Sequence, residues 1–154
     1  MVKTILFKRK GKNMITEDYV SFETAKLLKE KGFNDKGRYG YNSEGNVCEP
    51  IVGWKKVSPF YPRPTHQMAM KWLREVHNID VDIEPAVGML GVKVYIPFIS
   101  TYKSREDDPS KVRQLRRGIY YKDDKGIIPA LQHFDSYEEA CEVALKYSLE
   151  NLIK

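Results

Sequence analysis

Cysteine is scarce. Cys48 and Cys141 stand alone in 154 residues, with no C-x-x-C pair, which excludes a disulfide framework and a thiolate zinc site. No apolar run approaches the ~20 residues a membrane helix needs. Residues 1–12 contain no acid but hold Lys3, Lys8, Arg9, Lys10 and Lys12. These five cations equal the whole net charge of +5, so residues 13–154 balance to zero. The basic bias therefore belongs to a segment and not to the body of the chain. MVKTILFKRKGK opens like a signal peptide, but its apolar patch, Ile5–Phe7, is far too short for one. With Cys141 on an apolar helix stripe, these features predict a cytoplasmic protein with a buried thiol.

Catalytic and metal signatures are also missing. There is no H-E-x-x-H, no calcium loop, no G-x-S-x-G and no phosphate-cradling glycine loop. His66 and His77 fall on one side of a helix, but three turns, roughly 16 Å, separate them. They cannot share an ion. Asp80, Asp82 and Glu84 alternate on one strand face, which reads as a solvated face before a cation site. No cofactor and no metal are expected, and the enzyme class is the weakest of the readings.

What is present is globular. Hydrophobic residues at 42% and charged residues at 31% suit one ordinary domain with a core. The expected organisation is a basic extension at 1–13, either a strand over Thr4–Phe7 or a loose arm, and a single α+β domain at 14–154. The central element is PTHQMAMKWLREVHNI, residues 64–79. Thr65 is a ready N-cap, and Met68, Ala69, Trp72, Leu73 and Val76 form an apolar stripe. Ahead of it, Ser21 caps a helix with Phe22, Ala25, Leu28 and Leu27 inward, closed by Gly32 and Phe33. Arg38–Tyr41 and Val47–Val52 read as a hairpin, and Gly53–Pro64 as a loop.

After the central helix, Ile79–Glu84 alternates as a half-buried strand and Pro85–Leu90 turns. Gly91–Phe98 is the next strand, with Val92, Val94, Ile96 and Phe98 on one face. Thr101–Lys111 is a charged loop. Val112–Tyr121 reads as a third strand, although VRQLRRG also tolerates helix. Asp123–Gly126 turns, and Ile127–His133 returns as a short strand. Ser136 with Glu139 makes a capping box. Tyr137, Ala140, Cys141, Ala144, Leu145, Ser148, Leu149 and Leu152 then make a broad inward stripe. The fold class is an antiparallel sheet with helices on one face, core order α-β-β-β-α, preceded by a helix and hairpin.

That order resembles the double-stranded-RNA-binding domain, but Glu138, Glu139 and Glu142 stand where that domain presents lysines to phosphate, so its binding mode is not expected. Three blocks, ITEDYVSFETAKLLKEKGF, PTHQMAMKWLREVHNI and FDSYEEACEVALKYSLENLI, resemble small uncharacterised proteins of Bacteroidales genomes, their prophages and related phages. The resemblance covers about a third of the chain. It implies a phage or prophage accessory protein in a bacterial cytoplasm, with residues 1–13 an addition ahead of Met14. It carries no activity.

Two patches combine cations and aromatics in the way that binds nucleotides. One is Trp54, Lys55, Lys56, Phe60, Tyr61 and Arg63, leading to His66 in the first turn of the central helix. The other is Lys111, Arg113, Arg116 and Arg117 with Tyr120 and Tyr121; in a strand, Arg113, Leu115 and Arg117 share a face. Each patch has a plainer reading: Trp54 and Phe60 as core plugs, and the arginines as a surface balanced by Glu106, Asp107 and Asp108. The expected ligand is an anionic small molecule, such as a sequestered nucleotide signal, or nucleic acid. A protein–protein inhibitor using Tyr39, Tyr41 and an edge strand is the alternative, and a second copy of the chain is a further candidate partner.

Overall fold

The computed structural model describes residues 18–35, 37–52, 55–123 and 126–154. The expected basic extension, Met14, Trp54 and the Asp124-Lys125 turn pair lie outside these residues. The elements are α1 (Phe22–Glu30), β1 (Gly40–Tyr41), β2 (Val47–Cys48), β3 (Ile51–Val52), β4 (Lys55–Lys56), β5 (Tyr61–Pro62) and α2 (His66–His77). They continue with β6 (Ile79–Val87), β7 (Lys93–Ser104), β8 (Val112–Gly118), β9 (Tyr120–Asp123), β10 (Gly126–Leu131) and α3 (Tyr137–Asn151). The chain is an α+β fold, and VRQLRRG is strand.

The frame is the antiparallel sheet β6-β7-β8. Its register pairs Ile79 with Thr101, Val81 with Ile99 and Ile83 with Pro97. These residues share one face, and α2 and α3 pack on it. The core face of β7 is therefore Pro97 and Ile99, not the Val92–Phe98 set that alternation suggested. β7 is apolar on both sides, so period-2 patterning could not select a face. Both long strands also outrun their expected ends. β6 continues through Pro85 because it is an edge strand, where a missing N–H costs no ladder bond. β7 continues to Ser104, which leaves only 105–111 as loop.

The α2 stripe is rotated from its expected position. His66, Ala69, Met70 and Leu73 are buried, whereas Met68 and Val76 are 45% and 60% exposed. Trp72 lies at the margin, its ring edge-on to Phe33 at 5.4 Å and to His77 at 4.5 Å. The expected face missed His66 because a histidine does not read as apolar. Thr65 accepts from Met68 N, as expected of the cap.

The N-terminal half wraps this frame. Ser21 caps α1, and Gly32 at φ +93° lets its N–H reach Lys29 O while Phe33 N reaches Leu28 O, a Schellman closure. β1 pairs with β2 as expected, but the Val47–Val52 strand breaks at Pro50, and β3 pairs with β4 instead. The expected Gly53–Pro64 loop thus carries two short strands; β5 pairs with β1 on its other side. Gly40 is needed there, since a Cβ would lie 2.3 Å from Tyr61 O. Aromatics and prolines concealed this strand because only two residues of it pair.

α3 keeps its expected cap and stripe: Glu139 N donates to Ser136 Oγ, and Ala140, Cys141, Ala144, Leu145, Ser148 and Leu149 are buried. Glu142 on its flank joins the three helices. Its Oε1 accepts from Thr24 Oγ1 at 2.5 Å and from Ser21 N at 3.2 Å, while Oε2 lies 2.9 Å from His66 Nε2. Burial raises the Glu142 pKa, but the hydrogen bonds from His66, Ser21 and Thr24 outweigh it and hold the group at about 2. The carboxylate can only accept, so His66 Nε2 carries the shared proton.

Glu142→Ala leaves three donors unpaired and is expected to cost about 2–4 kcal/mol in urea unfolding. Because the folded carboxyl sits below its ordinary 4.5, its stabilising contribution is complete above that value. It is lost as pH falls toward 2. The difference in unfolding free energy between parent and Glu142→Ala should therefore be smaller at pH 3 than at pH 7 and close only as pH approaches 2.

Candidate functional site

The structure separates the first expected patch. Tyr61 is half-buried, edge-on to Phe22 at 5.4 Å, with Lys29 Nζ 4.6 Å over its ring. Arg63 lies over Tyr19 at 4.0 Å and donates from Nε to Tyr41 Oη at 3.2 Å. Tyr41 in turn donates to Val20 O and is buried, so it offers no docking surface. His66 is buried against Glu142 and cannot face an anion. Lys56 is exposed, Lys55 is placed by its backbone in β4, and Trp54 lies outside the described residues. Tyr61, Arg63 and His66 thus hold the fold together.

The second patch divides differently. Arg116 turns to the sheet face away from the helices, where it pairs with Glu84 and covers the Phe98 ring at 4.0 Å. Arg113 and Arg117 share the opposite face, as strand alternation predicts, and both are exposed. Of the acids expected to balance them, Asp107 and Asp108 are engaged elsewhere, and Glu106 lines a hollow with Arg113. Arg105 holds Asp107 and depresses its pKa; Ser110, with Lys111, depresses that of Asp108.

Tyr120 enters a cleft with better definition. At Ile119 the chain leaves the sheet, its side chain is buried, and its carbonyl accepts from Gln132 N at 2.8 Å. Gly118 permits the bend to close: Leu131 lies where its Cβ would be, at 2.0 Å. β9 is thereby turned toward α3. Between them is a cleft of about 660 Å³ lined by Tyr120, Tyr121, Lys122 and Gln132 on one side. Lys146, Tyr147 and Glu150 of α3 line the other. Its volume is in the range of small-molecule sites. Tyr120 is 43% exposed and Tyr121 37%, and Tyr121 packs edge-on to His133 at 6.0 Å. Lys122 and Lys146 have no carboxylate in ion-pair range among the described residues.

A cleft lined by tyrosines and by lysines without a carboxylate partner can stack a ring and meet an anion. Lys146 and Tyr147 escaped sequence reading because they belong to the outer side of a helix whose inner stripe dominates the pattern. Their i to i+4 neighbours, Glu150 and Asn151, continue the same wall. No group of ligands suited to a metal ion occurs among the described residues. The chain matches no family model, no curated protein and no solved structure.

Arg63→Ala should register in folding and not in binding. The loss of ring stacking and one hydrogen bond is expected to lower stability by about 1–2 kcal/mol in urea unfolding. Ligand affinity at the β9–α3 cleft should be unchanged by titration.

Proposed function

We propose that the chain is a non-enzymatic binding module whose β9–α3 cleft takes an anionic nucleotide. The observation that carries this reading is one cleft of nucleotide-accommodating volume lined by Tyr120 and Lys122, which share a face of β9, and by Lys146 and Tyr147 of α3. Tyrosine faces supply stacking for any base, and the two lysines supply charge for phosphate. An accessory protein of a phage or prophage, as the helix blocks suggest, would use such a cleft to sequester a host nucleotide signal. A bacterial cytoplasm is the compartment that this role requires.

Isothermal titration with AMP, ATP, GTP and UTP tests it. One saturable site is expected for at least one of them, with Tyr120→Ala and Lys146→Ala each weakening binding about tenfold. The nucleotide should be recovered chemically unchanged after overnight incubation. Absence of binding across the panel, or indifference to both substitutions, overturns the reading.

Protein docking has one observation of its own. At the β6–β7 turn, Met89 and Leu90 are fully exposed, between Val87 at 77% and Val92 at 56%. An apolar tip of this kind is more often an interaction site than free surface. This site is separate from Tyr39 and Tyr41, the pair first expected to dock. If it mediates self-association, Met89→Asp with Leu90→Asp should shift sedimentation toward monomer without altering the urea midpoint.

A further inference from the structure

The cleft is one end of a longer feature. β8 leads from the β7–β8 turn to Tyr120, and its helix-side face carries Arg113, Leu115 and Arg117. Arg113 pairs directly across the ladder with Lys103, so two cations face each other. Like charges in that position destabilise a sheet. Neither has a carboxylate partner among the described residues, nor does Arg117. Of the nearby acids, Asp107 is committed to Arg105 and Asp108 to Lys111, which leaves Glu106. A second hollow of about 690 Å³ lies at this end, lined by Lys103, Arg105 and Arg113 together with Glu106 and Asp107. The unpaired cations at one end and the tyrosines at the other are joined by Arg117 on the connecting strand.

We infer that the β8 face is a track for a short single-stranded nucleic acid, with a base stacked at Tyr120 and the backbone running past Arg117 to Lys103 and Arg113. This deepens the nucleotide reading and rests on it. Arg113 and Tyr120 are seven residues apart, at most about 25 Å of chain. That exceeds one nucleotide and suits a strand at the short end of the ~4–16 nucleotides a single-strand-binding site covers. An anion between Lys103 and Arg113 would relieve their repulsion, so the ladder is better satisfied with the strand bound than without it. Duplex is disfavoured, because stacking on tyrosines needs unpaired bases.

Fluorescence anisotropy with the full chain tests this, using labelled oligothymidylate and oligouridylate of two, four, eight and sixteen nucleotides. Affinity should rise at least tenfold from two to eight nucleotides, level off, and fall steeply with added salt. The two sugar series decide whether DNA or RNA is preferred. Lys103→Ala with Arg113→Ala should abolish the gain with length and leave mononucleotide binding at the cleft unchanged. Lys103→Glu supplies the missing opposite charge; it should raise the urea midpoint while removing the same gain. Mononucleotide binding with no gain from length overturns the track and leaves the cleft reading standing. Absence of binding to mononucleotides and oligonucleotides alike overturns both.

Discussion

A single carboxylate determines how the three helices meet. Glu142 projects from α3 and takes a hydrogen bond from the cap region of α1, another from the Thr24 hydroxyl and a third from the first-turn histidine of α2. An ionised group largely removed from water is tolerated only when its lone pairs are occupied, and here they are occupied from two separate segments, the start of α1 and the start of α2. The geometry of each donor is therefore fixed by the others. Slip of any one helix along its neighbours would strand the charge. The apolar stripes bring the helices together without direction, and Glu142 selects the one arrangement that closes.

The sheet depends on this arrangement. With α2 and α3 locked side by side, their common surface covers β6 and β7 and leaves β8 largely beyond its edge. Residues of β8 therefore share the core-facing side of the ladder without being in the core. Arg117 lies opposite fully buried Ile99 yet is itself exposed. Arginine can occupy such a margin because its alkyl stem lies along the apolar rim while its guanidinium reaches water. The bend at Gly118–Ile119 then carries the chain out of the sheet and sets β9 across a cleft from α3. Core formation and the candidate site are thus linked: the helix that seals the interior with one face forms the cleft wall with another.

Charge on this chain is better described by pairing than by totals. Asp107 and Asp108 stabilise their own turn, and Glu84 holds Arg116 on the far face of the sheet. Among the described residues, Lys103, Arg113 and Arg117 on the helix side and Lys122 and Lys146 at the cleft have no carboxylate in ion-pair range. A body of zero net charge over residues 13–154 thereby presents one locally cationic strip. Surface ion pairs of this kind add little to stability, but they decide which cations are left to meet a ligand.

The sequence by itself determined the local structure. Ser21, Thr65 and Ser136 as caps, the Gly32–Phe33 closure and the α3 stripe all rest on neighbours within a turn or two, and all are present as read, whereas VRQLRRG tolerated helix or strand and the expected Val112–Tyr121 strand divides at Ile119 into β8 and β9. The tertiary structure decided what depends on partners far along the chain. The face of α2 rotated because His66 finds Glu142, 76 residues away. The inner face of β7 was ambiguous because both faces are apolar. β5 exists because β1 offers it a ladder. The candidate site divided in the same way: its exposed tyrosine and arginines were legible as residue types, but their separation from Arg63 and Tyr61, and their meeting with Lys146 and Tyr147, were not. Caps and alternation are short-range consequences of backbone geometry, whereas pairing of charges and convergence on a cleft are properties of residues that only folding makes neighbours.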